Sequence, residues 1–167
     1  MSTKEVAEVL IRPVRDSDVE DLGRVHATCW HETYDTLISK AALENLSPRR
    51  MAELWSRMAT RGEEYNQFAA LVDGEIVGFV GSGPARDENP PRERELYFIY
   101  LLAKYQGTGI GQKLFDAACG PNPGYLWVAK DNPRAHAFYK RNGMVLDGAE
   151  EVHQLLGEDL VEVRFVR

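Results

Sequence analysis

Apolar and polar residues follow strand-like or helix-like spacing along most of the chain. Residues 8–14 (EVLIRPV) alternate as a first strand. The apolar residues between Val19 and Trp30 recur every three or four positions, which predicts an amphipathic helix. Ser47 before Pro48 favours the start of another helix, with serine as the cap and proline in the first turn. We expect residues 37–46 to be helical as well.

The second half of the chain reads as strands separated by two further helices. Residues 68–72 and 76–80 are apolar runs joined by Asp73-Gly74, a pair typical of hairpin turns. Residues 85–95 are charged and interrupted by prolines, so an exposed loop is expected. The remaining predictions are a central strand at 96–102, a helix from the glycines at 107–111 to about Cys119, a strand at 125–129, a helix at 132–141, and two last strands, the second at 160–166. This mixture of hairpins and crossovers predicts an α+β fold with a mixed sheet. Periodicity alone cannot give the order of the strands in that sheet.

Composition narrows the class of protein. The chain has 167 residues, 44% of them apolar, which suits one domain over residues 1–167. Its net charge of −6 argues against nucleic acid or an anionic membrane as a partner and mildly favours cationic small molecules. No signal-peptide pattern or run of about 20 apolar residues is found, so a cytoplasmic location is expected. A homodimer is left open.

Cysteine and histidine provide no recognisable metal site. Cys29 and Cys119 are too few for a disulfide framework or a metal cluster. His31-Glu32 lacks the second histidine one turn later that a zinc motif needs. We therefore expect no metal, and we expect all four histidines to be structural or solvated.

The densest chemical pattern is YQGTGIGQKL at 105–114, where glycines stand at the start of a predicted helix. A helix start has free N–H groups and a partial positive charge, and small residues let an anion approach them. Neither the P-loop pattern nor the dinucleotide G-x-G-x-x-G pattern fits these glycines. A glycine-rich helix start without a ligand is the alternative explanation.

The pattern that fits is Gln-x-x-Gly-x-Gly, at Gln106, Gly109 and Gly111. It resembles the pyrophosphate loop of the GNAT family of N-acetyltransferases. A second block of that family, Asn followed by Tyr seven residues later and then Gly, is matched by Asn132, Tyr139 and Gly143. The resemblance implies the three-layer α/β/α fold of the family, with a mixed, mostly antiparallel sheet. It also implies acetyl-CoA as co-substrate and direct transfer of its acetyl group to an amine.

The resemblance assigns cofactor binding mainly to backbone. One strand is expected to pair with the pantetheine arm, with an N–H near Leu101 facing the thioester oxygen. The glycine loop is expected to take the pyrophosphate, and Asn132 to bond the pantetheine arm or simply to cap its helix. The full set implied for the cofactor is Ile99, Tyr100, Leu101, Gln106, Gly107, Thr108, Gly109, Ile110, Gly111, Gln112 and Asn132.

Two residues are implied for proton transfer. Tyr139 would protonate the departing thiolate, since a phenol keeps its proton at neutral pH; packing of its ring is the alternative. Glu95 lies where histone-acetylating members place their base. A glutamate in the charged run RERE is more commonly solvated, so both roles stay open for Glu95.

The acceptor is the least determined part. Trp30 and Tyr34 resemble an aromatic pair that many members carry beside the acceptor pocket, although Trp30 equally suits the core. The sequence leaves open a small amine, which we favour, or a protein N-terminus or lysine. A non-catalytic CoA-binding module is the alternative from another class.

Overall fold

The computed structural model describes residues 8–167. Its strands are β1 (Val9–Pro13), β2 (Asn66–Val72), β3 (Glu75–Pro84), β4 (Arg94–Leu101), β5 (Tyr125–Ala129), β6 (Val145–Leu155) and β7 (Glu158–Val166). Its helices are α1 (Val19–Tyr34), α2 (Lys40–Glu44), α3 (Pro48–Met58), α4 (Ile110–Ala118) and α5 (Pro133–Arg141). Of the predicted helix at 37–46, only α2 forms. None of the helices within 8–167 has the length and apolar character to cross a bilayer.

The seven strands form one sheet in the order β1-β2-β3-β4-β5-β7-β6. Only β4 and β5 run parallel, and every other neighbouring pair is antiparallel. The expected mixed, mostly antiparallel sheet is confirmed. Asp73 and Gly74 form the tight turn between β2 and β3, both with positive φ, as the sequence predicted.

Helices cover both faces of the sheet. Successive side chains of a strand point to opposite faces. On β2, Ala70 and Val72 pack in a cluster with residues of α4 and α5, whereas Ala69 and Leu71 pack with residues of α1 and α3. The predicted α/β/α layering is therefore confirmed.

The charged segment at 85–95 is shorter as a loop than predicted. Strand β4 begins at Arg94, and Gly83 of β3 pairs with Glu95. Glu95 is only 2% exposed, so the alternative of a solvated Glu95 is excluded. The charge is tolerated there because the carboxylate has partners, described below.

Strands β4 and β5 touch at one end only. Glu95 and Tyr125 form their sole register pair among residues 8–167. Beyond that pair the strands separate, so the side of β4 that faces β5 keeps unpaired backbone groups. Because a buried, unpaired backbone group is costly, this gap is suited to a ligand that supplies hydrogen bonds of its own.

Candidate active site

A cleft of about 720 Å³ occupies the gap between β4 and β5. It is lined on one side by β4 from Leu96 to Leu101 and on the other by Leu126, Trp127 and Val128 of β5. The glycine loop, α5 and the end of α1 complete it. The volume is that of a typical small-molecule site.

The glycine loop enters this cleft with a left-handed backbone. Gly107 has φ of 79° and Gly109, the residue before α4, has φ of 87°. L-residues with side chains rarely adopt such angles, so glycine is required at both positions by conformation. The first N–H bonded to a helix carbonyl is that of Lys113, to Gly109. The N–H groups of the first turn are therefore left to serve an anion.

Gly111 is glycine for a different reason. A Cβ built at Gly111 would lie 3.8 Å from the Phe138 ring, an ordinary contact, and no positive φ applies there. Neither packing nor conformation excludes alanine at this position. Close approach of a ligand to the backbone is the remaining physical reason for a bare Cα.

Other residues expected to bind the cofactor have mixed placements. Gln106, Gly107, Gly109, Gly111, Gln112 and Asn132 line the cleft, as do Ile99, Tyr100 and Leu101. The side chain of Ile110 is instead buried in the core, and the Thr108 hydroxyl donates to the Tyr105 carbonyl. Both can still offer backbone N–H groups. Asn132 Oδ1 accepts from Ala135 N at 3.2 Å, so the helix-cap role is present while the residue also faces the cleft.

One backbone N–H at the end of β4 faces the gap. The N–H of Leu102 donates to the Val77 carbonyl of β3 at 2.9 Å. Because successive N–H groups of a strand point to opposite sides, that of Leu101 points away from β3, toward the gap. A donor to the thioester near Leu101 stays a prediction.

Tyr139 combines packing with access to the cleft. Its ring packs on Phe138 and Phe165, with centroids 5.6 and 5.8 Å away, and the residue lines the cleft. Burial raises the pKa of Tyr139 well above the usual value for a phenol, and the nearby Tyr34 adds to the increase. The phenol therefore keeps its proton throughout the neutral range.

Of the expected aromatic pair, Tyr34 lines the cleft and Trp30 lies behind it. The Tyr34 and Tyr100 hydroxyls are 2.7 Å apart. Burial raises the pKa of Tyr34 to about 12, and the charge of Glu162 adds to the increase. The Trp30 ring packs edge-on against Tyr34, 5.8 Å between centroids, and against His26. Trp30 supports the pocket wall, which is the packing role left open by the sequence.

Glu95 is not placed with Tyr139 in the large cleft. Its Oε1 accepts from Arg86 N, Arg86 Nε and the Tyr125 hydroxyl, and its Oε2 accepts from Arg86 Nη2 at 2.8 Å. Glu95 lines a smaller cavity of about 380 Å³ together with Trp127 and Glu162. These two residues also line the large cleft, so the cavities adjoin there.

The structure adds cleft residues that sequence analysis missed. Arg134 and Arg141 lie two turns apart on one face of α5 and bring positive charge to the cleft. Their seven-residue spacing was a usable signal for a shared face. Glu162 of β7 lies in the wall shared by both cavities, next to His153 of β6. No sequence signal marked this pair, because only the register of β6 and β7 brings them together.

The arrangement thus offers an anion site, a hydrogen-bonding strand edge, a protonated phenol and a carboxylate around one cleft. Comparison with known proteins identifies the family. Residues 29–144 match the family model described as the Acetyltransferase (GNAT) family. The chain is 30% identical over 132 residues to an uncharacterized N-acetyltransferase of Bacillus subtilis, YuaI, covering 75% of this chain and 74% of that one. A probable N-acetyltransferase of Mycobacterium tuberculosis is 23% identical over 146 residues, covering 85% and 83%.

Solved structures agree in fold. The PaiA N-acetyltransferase of Thermoplasma acidophilum, crystallised with coenzyme A, is similar with a TM-score of 0.67 and 20% identity, covering 93% of this chain and 98% of that one. A Pyrococcus horikoshii protein has a TM-score of 0.73 at 19% identity, covering 96% and 98%. The paired motifs, the separated strands and these relatives lead to one conclusion: the chain is an acetyltransferase that belongs to the GNAT family.

Proposed function

We propose that this acetyltransferase moves the acetyl group of acetyl-CoA directly to the primary amine of a small, cationic acceptor. The observation that carries the proposal is the convergence of the β4–β5 gap and the glycine loop on one cleft that also holds Tyr139. Glu162, a carboxylate in the cleft wall, supports a cationic acceptor.

The residues present fit coenzyme A. Free N–H groups of the α4 first turn, with open space beside Gly107 and Gly109, suit its pyrophosphate. Arg134 and Arg141 add positive charge for phosphate. The unpaired edge of β4 at Ile99 to Leu101 suits the amides of the pantetheine arm. The PaiA relative was crystallised with coenzyme A, which supports the same ligand for this chain.

Acetyl-CoA supplies an activated thioester carbonyl, and the protein supplies position and protons. The Leu101 N–H would stabilise negative charge on the carbonyl oxygen. Tyr139 would donate its proton to the departing sulfur, for which its raised pKa keeps the proton in place. Neither step needs a covalent acyl-enzyme, so Cys29 and Cys119 have no assigned role. Glu95 stays a candidate for the base. An amine proton would have to compete with the Arg86 and Tyr125 groups that already donate hydrogen bonds to its carboxylate.

The experiment is an acceptor screen with acetyl-CoA that follows thiol release. The amines are spermidine, putrescine, tyramine, free lysine and a lysine-containing peptide with a free N-terminus. We expect turnover with one or more of the small cationic amines, at higher kcat/KM than with the peptide. Preference for the peptide would contradict the acceptor class, and absence of turnover with every amine would contradict the amine acceptor itself.

A further inference from the structure

His153 lies between two glutamates in the β6–β7 hairpin. Its Nδ1 is 2.6 Å from Glu162 Oε1, and its Nε2 is 2.9 Å from Glu151 Oε2. The register places all three on one face of the sheet, since Glu151 pairs with Glu162 and His153 is the next residue on that face.

This geometry selects the protonated imidazole. An ionised carboxylate can only accept hydrogen bonds, and a neutral imidazole has one donor nitrogen. With an acceptor opposite each nitrogen, the doubly protonated form satisfies both contacts. Burial lowers and the two glutamates raise the pKa of His153, and the net effect is an increase. Glu162 is thus held by a cationic partner that fixes one of its oxygens.

The other oxygen of Glu162 has no hydrogen-bond donor among residues 8–167. This oxygen is Oε2, and the Glu162 side chain, 19% exposed, lines the large cleft. Glu95 differs, because both of its oxygens are occupied by Arg86 and Tyr125. Of these two carboxylates, only Glu162 offers an unused acceptor to a ligand in the large cleft.

Glu162 and Tyr139 approach the cleft from opposite faces of the sheet. Val163 and Phe165 of β7 pack in the same cluster as Tyr139. Alternation along the strand turns Glu162 to the other face, where Tyr34 and Tyr100 lie. The charge of Glu162 raises the pKa of both of these tyrosines, after the larger effect of burial. The reaction must protonate the leaving thiolate and deprotonate the amine nitrogen. An acid on one face of the sheet and a carboxylate on the other suit these two proton transfers.

We propose that Glu162 is the residue that binds the acceptor amine and takes its proton, with His153 as the positioning residue that holds it. This rests on the proposed amine acetylation. The amine, bound as its cation by Glu162, first loses one proton to solvent. Its nitrogen then bonds to the carbonyl carbon while the carbon–sulfur bond breaks. Sulfur leaves with the electron pair and takes the Tyr139 proton; the proton that nitrogen loses goes to Glu162 Oε2, and solvent returns it to the Tyr139 oxygen.

The charged and titratable groups around Glu162 belong to several elements. They are His153 of β6 with Glu151 behind it, Tyr34 of α1, Tyr97 and Tyr100 of β4, and, in the smaller cavity, Glu95, Asp87 and Arg86, whose guanidinium is paired with Glu95. Asp87 is bound by Arg164 Nη1 and Trp127 Nε1, at 3.2 and 3.0 Å to Oδ2, so it too has partners.

The test is Glu162→Gln, which keeps the shape and removes the basic oxygen. With the panel amine of highest wild-type kcat/KM, we expect kcat/KM at neutral pH to fall on the order of 10²-fold. The deficit should shrink as pH rises toward the amine pKa of about 10, because hydroxide can then take the proton that nitrogen loses, and the neutral amine no longer needs the carboxylate to bind. Glu162→Asp keeps a carboxylate on a side chain one methylene shorter, so it should lose less activity than Glu162→Gln.

Two matched variants separate the outcomes. Glu150→Gln changes a neighbouring exposed glutamate that pairs with Lys130, and it should behave as wild type. Glu95→Gln tests the rival base. A wild-type pH–rate profile for Glu162→Gln, or the large neutral-pH deficit in Glu95→Gln instead, would overturn the proposal. If Glu162→Gln does not fold, wild-type rates for Glu162→Asp would also overturn it.

A second measurement distinguishes failure of this proposal from failure of the proposed function. NMR titration of the His153 ring in the presence of spermidine reports on amine binding at Glu162 without turnover. We expect spermidine to lower the His153 pKa. The positive charge of bound spermidine would offset part of the negative charge of Glu162 that stabilises the imidazolium. An unmoved titration in an enzyme that does acetylate amines would contradict the Glu162 role alone, whereas an enzyme that acetylates no amine would contradict the proposed function.

Discussion

At Gly111 a side chain would meet only the Phe138 ring, at 3.8 Å, and no positive φ forbids it. We therefore expect Gly111→Ala to fold as well as wild type, with a gain of up to about 1 kcal/mol because alanine favours helix. The methyl group would nevertheless obstruct a pyrophosphate on the helix start, so the dissociation constant for CoA should rise about tenfold or more, a loss of roughly 1.4 kcal/mol. Calorimetric titration and thermal unfolding measure the two effects.

The control is Gly62→Ala, at a glycine with open space around it and outside the cleft. It should leave CoA affinity unchanged. Gly109 is less suitable for this test, because its φ of 87° would add backbone strain to any loss of affinity. Unchanged affinity in Gly111→Ala would mean that the ligand does not approach this backbone.

Tyr139→Phe separates the hydroxyl from the ring. The ring contacts with Phe138 and Phe165 remain, so stability and CoA affinity should stay near wild type. Loss of the proton donor should lower kcat on the order of 10²-fold. Because burial raises the Tyr139 pKa, the wild-type rate should show no loss from its ionisation below about pH 10.

Stopped-flow thiol release measures the chemical step, and Tyr65→Phe, outside the cleft, is the matched control. An unaltered chemical step would assign Tyr139 to packing.

At the scale of elements, Glu95 joins the start of β4 to the loop before it. Glu95→Gln keeps an acceptor for Tyr125 but removes the charge that faces Arg86. Because hydrogen bonds to charged groups contribute about 1.5–3 kcal/mol, we expect a loss of this order in the free energy of unfolding. Glu93→Gln, at an exposed position of the same run, should change it by less than about 0.5 kcal/mol. Denaturant titration measures both, and equal stabilities would contradict a structural role for Glu95.

The β6–β7 hairpin should carry a pH-dependent contribution to stability through His153. Its folded-state pKa is raised above the unfolded value of about 6.5. The stabilisation is therefore fully present below about pH 6.5 and is lost as pH rises through the folded-state pKa. The difference in Tm between wild type and His153→Gln should be large in mild acid and fade in alkali. A difference that grows with pH would contradict the imidazolium.

At the scale of the whole molecule, CoA should stabilise the fold by mass action. A ligand at about 100 times its dissociation constant contributes roughly 2.7 kcal/mol. For a chain of this size that corresponds to a rise in Tm of roughly 5–10 °C. Differential scanning fluorimetry with CoA, and with adenosine as a control that lacks the pyrophosphate and pantetheine, measures the shift. No shift with saturating CoA would contradict the cofactor site.

Much of this architecture was predictable because its causes are local. Hydrophobic spacing, Asp73-Gly74 and the caps at Ser47 and Asn132 are short-range features, and they placed most helices and strands within a few residues. The glycines before α4 are also local, since helix starts need free N–H groups and Gly107 and Gly109 need a left-handed backbone. The family followed from two such blocks, each within about a dozen residues.

Tertiary structure alone decided the rest, because those features depend on contacts between distant segments. The sequence left open whether Glu95 is solvated, and pairing of β4 with β3 buries it. Arg86 neutralises its charge and the Tyr125 hydroxyl donates to it. The sole β4–β5 pair opens the cleft, and strand order cannot be deduced from periodicity. Glu162 acquires its place and its cationic partner only through the β6–β7 register. Local sequence thus determined the elements and the glycine-rich helix start, whereas strand pairing decided which carboxylates lie at the cleft and which groups hold their oxygens.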